Sequence, residues 1–230
     1  MQFVVVHGSY LGAWAWDLVR PELERLGHTV AAVDLPISDP TAGAVEYASI
    51  VIGAADWEEP TILVGHSMAG LVVPLVASQV PVRKLIFVAG YLPRPGMSVM
   101  DQRSEAPIDA RWRAATSEWT DLGDGVWNVG PATARELFFH DAPLDVATAA
   151  QRRLRPQSYR VITEPTPLTE WPAVESRYIV LRDDRIMNPG WGRQASREHL
   201  GVQPDELDGG HCPLLSRPIP LARLIAELAA

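Results

Sequence analysis

A chain of 230 residues, 47% of them hydrophobic, is long enough to bury the core of one large domain and lies within the range where α/β folds stay single units. Its formal net charge of -8 at pH 7 supplies no basic field for phosphate backbones or anionic lipid, which excludes nucleic acid and a membrane surface as expected partners. The lone cysteine, Cys212, excludes an internal disulfide and a thiolate metal cluster, and the six histidines are scattered without an HExxH pair, so no metal is expected.

The first ten residues, MQFVVVHGSY, carry no basic leader and only a short apolar run. They read as neither a signal peptide nor a membrane span, and together with the single cysteine they point to the cytoplasm. Apolar, β-branched runs bounded by turn residues predict strands at 3–6, 29–33, 61–64, 84–88 and 177–181, with a weaker one at 202–207; uninterrupted runs of this kind belong to strands buried on both faces. Helical periodicity fills 15–26, 42–55, 67–79, 191–199 and 221–228. Gly27 is placed to cap the first helix in the left-handed conformation, and Pro21 and Pro74 are set to kink or delay two of them. The alternation predicts an α/β fold with a mostly parallel sheet of about six strands flanked by helices.

Within this single domain, 1–230, the pattern changes over 94–171. Prolines become frequent, tryptophans recur at Trp112, Trp119 and Trp127, no strand of the main type is visible, and 132–154 reads as two helices broken at 141–143. This stretch is expected to be a helical cap insertion. Its aromatics read equally as a pocket cover or as a small satellite core, and its apolar surface could serve a homodimer as readily as a lid.

The strongest local signal is TILVGHSMAG at 61–70, an apolar strand running through a tight turn of small residues into an apolar helix. Such a turn strains the backbone at Ser67 and presents its hydroxyl as a nucleophile; Gly65 and Ala69 are small so that strand and helix can approach each other. Read blandly, Ser67 is only the N-cap of a helix. A serine hydroxyl needs a base, and the base needs a partner that fixes its tautomer. The buried run at 178–184 ends in two acids, and LDGGHCP at 207–213 is a glycine-rich loop carrying His211. Asp184 is the favoured orienting acid, one residue further into its loop than Asp183, which could instead pair with Arg182 or Arg185 on the surface. The oxyanion donors expected are the N–H groups of Met68 and Ser9, with Gly8 letting the backbone come close. His7 reads as a structural residue of the same loop. Tyr10 and Tyr91, each just beyond a strand end, are candidate pocket residues together with Gly8.

The runs FVVVHGS at 3–9, GAWAW at 12–16, GHSMAG at 65–70 and HCPLLSRP at 211–218 together resemble the α/β-hydrolase superfamily. The likeness is to its small bacterial esterases and to the plant methylesterase and hydroxynitrile lyase branch; ELFFHD at 136–141 and RLRPQ at 153–157 also look family-like. The resemblance spans nearly the whole chain, and it implies no cofactor. It implies a serine hydrolase that cleaves a small carboxylic ester through an acyl-enzyme, with Ser67, His211 and Asp184 as its triad. The plant lyases of this branch carry threonine where this chain has Gly8 and lysine where it has Cys212, and a neutral thiol cannot replace an ammonium beside departing cyanide. Hydrolysis is therefore favoured. Other chemistry on the same fold, such as carbon–carbon cleavage or a cyclisation or lactone-forming tailoring step, stays open, as does a receptor-like protein with negligible turnover.

Overall fold

The computed structural model describes residues 1–115 and 118–230. Six strands, β1 (Gln2–Val6), β2 (Thr29–Val33), β3 (Thr61–His66), β4 (Lys84–Val88), β8 (Glu175–Leu181) and β9 (Asp205–Leu207), form one sheet in the order β2-β1-β3-β4-β8-β9, every neighbour parallel. β3 and β4 are buried along their whole length, as expected of central strands covered by helices on both faces. The weak sixth strand is shorter than its sequence run, occupying only Asp205–Leu207.

The helices around the sheet are α1 (Arg20–Arg25), α2 (Ala44–Ile52), α3 (Val73–Ala77), α8 (Pro189–Leu200), α9 (Pro213–Ser216) and α10 (Pro218–Ala229). Two of the expected helices start late. The stretch 15–26 divides into a 3-10 turn at Ala13–Trp16 and then α1, whose first turn holds Pro21; the stretch 67–79 divides into a 3-10 turn at Ser67–Leu71 and then α3, whose first turn holds Pro74. Proline has no N–H to donate, so it is tolerated in a first turn and resisted further in. Gly27 takes φ +84° directly after α1.

Residues 94–171 are not purely helical. They contain a 3-10 turn at Asp101–Glu105, then α4 (Ala110–Ala114), α5 (Pro131–Leu137), α6 (Leu144–Gln151) and α7 (Arg160–Thr163), together with a three-stranded antiparallel sheet of β5 (Trp119–Asp121), β6 (Val126–Val129) and β7 (Gln157–Ser158). These strands escape the sequence reading because they are two to four residues long. They turn on Gly123, Asp124 and Gly125, all at positive φ.

The chain passes from β1 outward to β2 and then returns to the other side of β1 for β3, so the strand order reverses at β1. In open α/β sheets the crevice at such a reversal, outside the carboxyl ends of the strands, is where ligands bind. The loop after β1 is fixed there by His7. Its Nδ1–H donates to the Gly8 carbonyl at 2.8 Å and its Nε2 accepts the Leu35 N–H at 3.0 Å, so the ring is a neutral cross-link between the loops after β1 and β2. Burial, aided by the Arg155 charge, lowers its pKa from 6.5 to about 4.

The native state therefore binds fewer protons at His7 than the unfolded chain between those two values. The stabilisation is complete above pH 6.5 and is lost as pH falls towards about 4. At about 1.36 kcal/mol per pKa unit, it amounts to roughly 3 kcal/mol. Urea unfolding followed from neutral pH downward should lose stability of this order by about pH 4, and the His7 ring resonances should stay unshifted until the lower end of that range. A His7 that titrates like a free imidazole would contradict the cross-link.

Candidate active site

The end of β3 positions the first group. Ser67 has φ 54°, a left-handed conformation uncommon for a residue with a Cβ. It is held there because its carbonyl accepts the Tyr91 N–H at 3.0 Å and because small neighbours let the turn close. A Cβ on Gly65 would come within 2.9 Å of Val73, and one on Gly70 would run into the Tyr91 backbone.

Asp184 lies in the loop three residues beyond β8, and His211 in the loop four residues beyond β9. The structure brings both to Ser67. His211 Nε2 is 2.9 Å from Ser67 Oγ, and His211 Nδ1 is 2.8 Å from Asp184 Oδ2. The tautomer consistent with both contacts has Nδ1–H donating to the carboxylate and Nε2 accepting the serine hydroxyl. The other oxygen of Asp184, Oδ1, accepts the N–H groups of Ile186 and Met187 at 2.7 and 2.9 Å. Only 6% of Ser67 and 1% each of Asp184 and His211 is exposed, so these bonds form in a medium that screens them little. Asp183 points elsewhere. It does not pair with either neighbouring arginine: Arg182 binds Glu206 and Asp208 at 2.8 and 2.6 Å, Arg185 reaches the Glu136 carbonyl, and Asp183 accepts the Gly209 N–H at 3.3 Å.

The loop after β1 completes this end of the sheet. Ser9 and Tyr10 line a cavity of about 340 Å³ together with Ser67, Tyr91 and His211. Gly8 does not line it; it lies against the serine, where a Cβ would come 2.8 Å from Ser67 Cβ. Met68 is the first residue of the turn after Ser67 and is fully buried. The remaining wall comes largely from residues 94–171, including Trp112, Phe138, Tyr159 and Ile162. Phe138 meets His211 edge-on, with ring centroids 6.2 Å apart, and Tyr10 packs against Trp112, Trp119 and Phe138.

A profile described as the alpha/beta hydrolase family matches residues 3–224. The chain belongs to that family. In sequence it is 26% identical to methylesterase 3 of Arabidopsis thaliana, covering 98% of this chain and 95% of the relative, and 27% identical to an alpha-hydroxynitrile lyase of the same plant, covering 99% and 96%. In fold it is similar to polyneuridine aldehyde esterase, with a TM-score of 0.83 at 21% identity over 100% of this chain and 99% of that one. It is likewise similar to a pyrethroid hydrolase from Sphingobium faniae JZ-2, with a TM-score of 0.79 at 22% identity over 100% and 97%.

Three further residues of this α/β-hydrolase chain hold the site loops and were not singled out as site residues from sequence. His66 Nε2–H donates to the His211 carbonyl at 2.8 Å, and burial followed by the neighbouring His211 keeps its pKa far below the ordinary value. Asp141, just after the α5 segment, accepts the Gly210 N–H at 2.9 Å. Arg155 donates to the Leu11 carbonyl at 2.8 Å and to Asp34 at 3.0 Å, while its own N–H binds the Tyr10 carbonyl at 2.9 Å. The runs ELFFHD and RLRPQ were the available signals, since they carry Asp141 and Arg155. Asp141→Ala should speed hydrogen exchange of the Gly210 amide by roughly tenfold, the worth of one charge-assisted hydrogen bond, and Asp141→Asn, which keeps an acceptor, should speed it less. Unchanged exchange in the alanine variant would show that this contact does not hold the loop.

Proposed function

We propose that the chain is a serine esterase that cleaves a small carboxylic ester through an acyl-enzyme. The observation that carries this reading is the continuous run from Ser67 Oγ through His211 to Asp184, at 2.9 and 2.8 Å, opening into a largely apolar cavity. Ser67 attacks the ester carbonyl while His211 takes its proton, and the Ser9 and Met68 N–H groups receive the oxyanion. His211 then protonates the departing alcohol. Water activated by the same imidazole releases the acid and restores Ser67, with Asp184 steadying the imidazolium at each stage. Residues 94–171 act as the cap over the cavity. Relatives named as methylesterases, and methyl jasmonate esterase 1 of Vitis vinifera at 25% identity, support an ester substrate.

The lyase chemistry of another relative is disfavoured at two positions. Gly8 has no room for the threonine of the plant lyases without displacing Ser67. Cys212, where those lyases place a lysine, is 1% exposed, and burial pushes its thiol well up, so it stays neutral. No helix among the described residues is long and apolar enough to cross a membrane. A cytoplasmic location is part of this reading, since with a single cysteine the chain has no internal disulfide that needs an oxidising compartment.

Hydrolysis of p-nitrophenyl acetate and butyrate tests the assignment. Ser67→Ala should lower kcat by roughly 10³-fold or more and Asp184→Asn by about 10²- to 10⁴-fold, while Asp183→Asn keeps most of the rate. In isotopically labelled water the acid product should carry solvent oxygen. Full activity in Ser67→Ala, or an acid product without the label, would overturn the proposal.

A further inference from the structure

The cavity above Ser67 and His211 has no carboxylate among its lining residues, yet two arginines line it: Arg103 in the turn at Asp101–Glu105 and Arg113 in α4. Both are exposed, and among the described residues neither guanidinium joins an ion pair or a side-chain hydrogen bond. Their immediate neighbours do. Arg111 binds both oxygens of Asp109, at 2.9 and 3.3 Å, and Glu105 takes Arg94 at 2.8 Å. The acids whose titration feels the two lining arginines, Asp101 and Asp109, are committed elsewhere. Asp101 accepts the N–H and O–H of Ser98 at 2.9 and 2.7 Å, and Asp109 is held by Arg111.

In a chain of net charge -8, two cations that form no ion pair among the described residues stand at an otherwise apolar active cavity, where they favour an anionic group. A guanidinium presents planar paired donors that match a carboxylate. We propose that Arg103 and Arg113 form an anion subsite and that the substrate is an ester with an ionised carboxylate at the end remote from the scissile bond, such as the half-ester of a dicarboxylic acid. The scissile carbonyl lies at Ser67, the apolar body runs past Trp112 and Phe138, and the carboxylate meets the two arginines. The substrate class rests on the serine-esterase reading; the subsite itself does not.

Mono-p-nitrophenyl adipate and p-nitrophenyl hexanoate have acyl chains of equal length and differ in the terminal charge. The ratio of their kcat/KM values, adipate over hexanoate, should fall roughly tenfold or more in Arg103→Gln/Arg113→Gln, the order expected of one or two charge-assisted hydrogen bonds. The wild-type ratio should also fall as salt is raised. In parallel, calorimetry on Ser67→Ala should show monomethyl adipate binding more tightly than methyl hexanoate, with the difference removed by the two glutamines.

A ratio and a binding preference both insensitive to the glutamines overturn the subsite and leave the esterase standing. No turnover of either ester, with the binding preference present and lost in the glutamine variant, keeps the subsite and overturns the esterase. No binding of either methyl ester and no sensitivity in turnover overturns the subsite as well.

Discussion

Ser67 is held at φ 54°, in a backbone region that costs a residue with a Cβ on the order of 1–3 kcal/mol. A serine left to local preferences would relax into the helix that follows. It is kept in place from both sides: β3 is buried throughout and continues straight into the turn, and the Ser67 carbonyl is taken by the Tyr91 N–H across the gap left by Gly70. The strain has a geometric return, since it lifts the hydroxyl above the carboxyl edge of the sheet. The loops after β1, β8 and β9 end at that same edge because every strand of the sheet is parallel.

Around that point the imidazole of His211 has little freedom. Its two nitrogens are used by Asp184 and Ser67, and the loop that carries it is tied down residue by residue: Gly209 N–H to Asp183, Gly210 N–H to Asp141, and the His211 carbonyl to His66. These anchors come from the β8 loop, from the segment before α6 and from the last residue of β3. Gly209 takes φ +124°, and a Cβ on Gly210 would strike His140, so the paired glycines let the loop pass between its anchors. An imidazole fixed in this way would reorganise little on taking a proton, which is the condition under which electrostatic stabilisation is most effective.

Much of this arrangement was legible in the sequence because its signals are local. A buried strand followed by small residues around a serine, an acid just past a buried strand and a histidine behind two glycines can each be read within about ten residues, and the parallel sheet follows from alternating apolar runs. What was hidden depends on contacts distant in the chain. Asp184 was favoured over Asp183 from its place in the loop, but the partner of Asp183 was not legible: it takes the Gly209 N–H, 26 residues on, instead of a neighbouring arginine. The small antiparallel sheet was missed because β6 and β7 pair across the whole of α5 and α6. Trp112 and Phe138 look the same in composition whether they fill a core or line a cavity. Of the two outcomes open at Pro21, a kink or a late start, the late start is the one found, with α1 beginning at Arg20.

Ester hydrolysis by this route forms a covalent bond at one hydroxyl. Rapid mixing with p-nitrophenyl butyrate, acid quenching within the first turnover and peptide mass mapping would observe that bond directly. A burst of p-nitrophenol is expected, with a butyryl mass added to Ser67 and to no other residue. Turnover with no acyl group on Ser67 at any quench time, or with the acyl group on a different side chain, would contradict it.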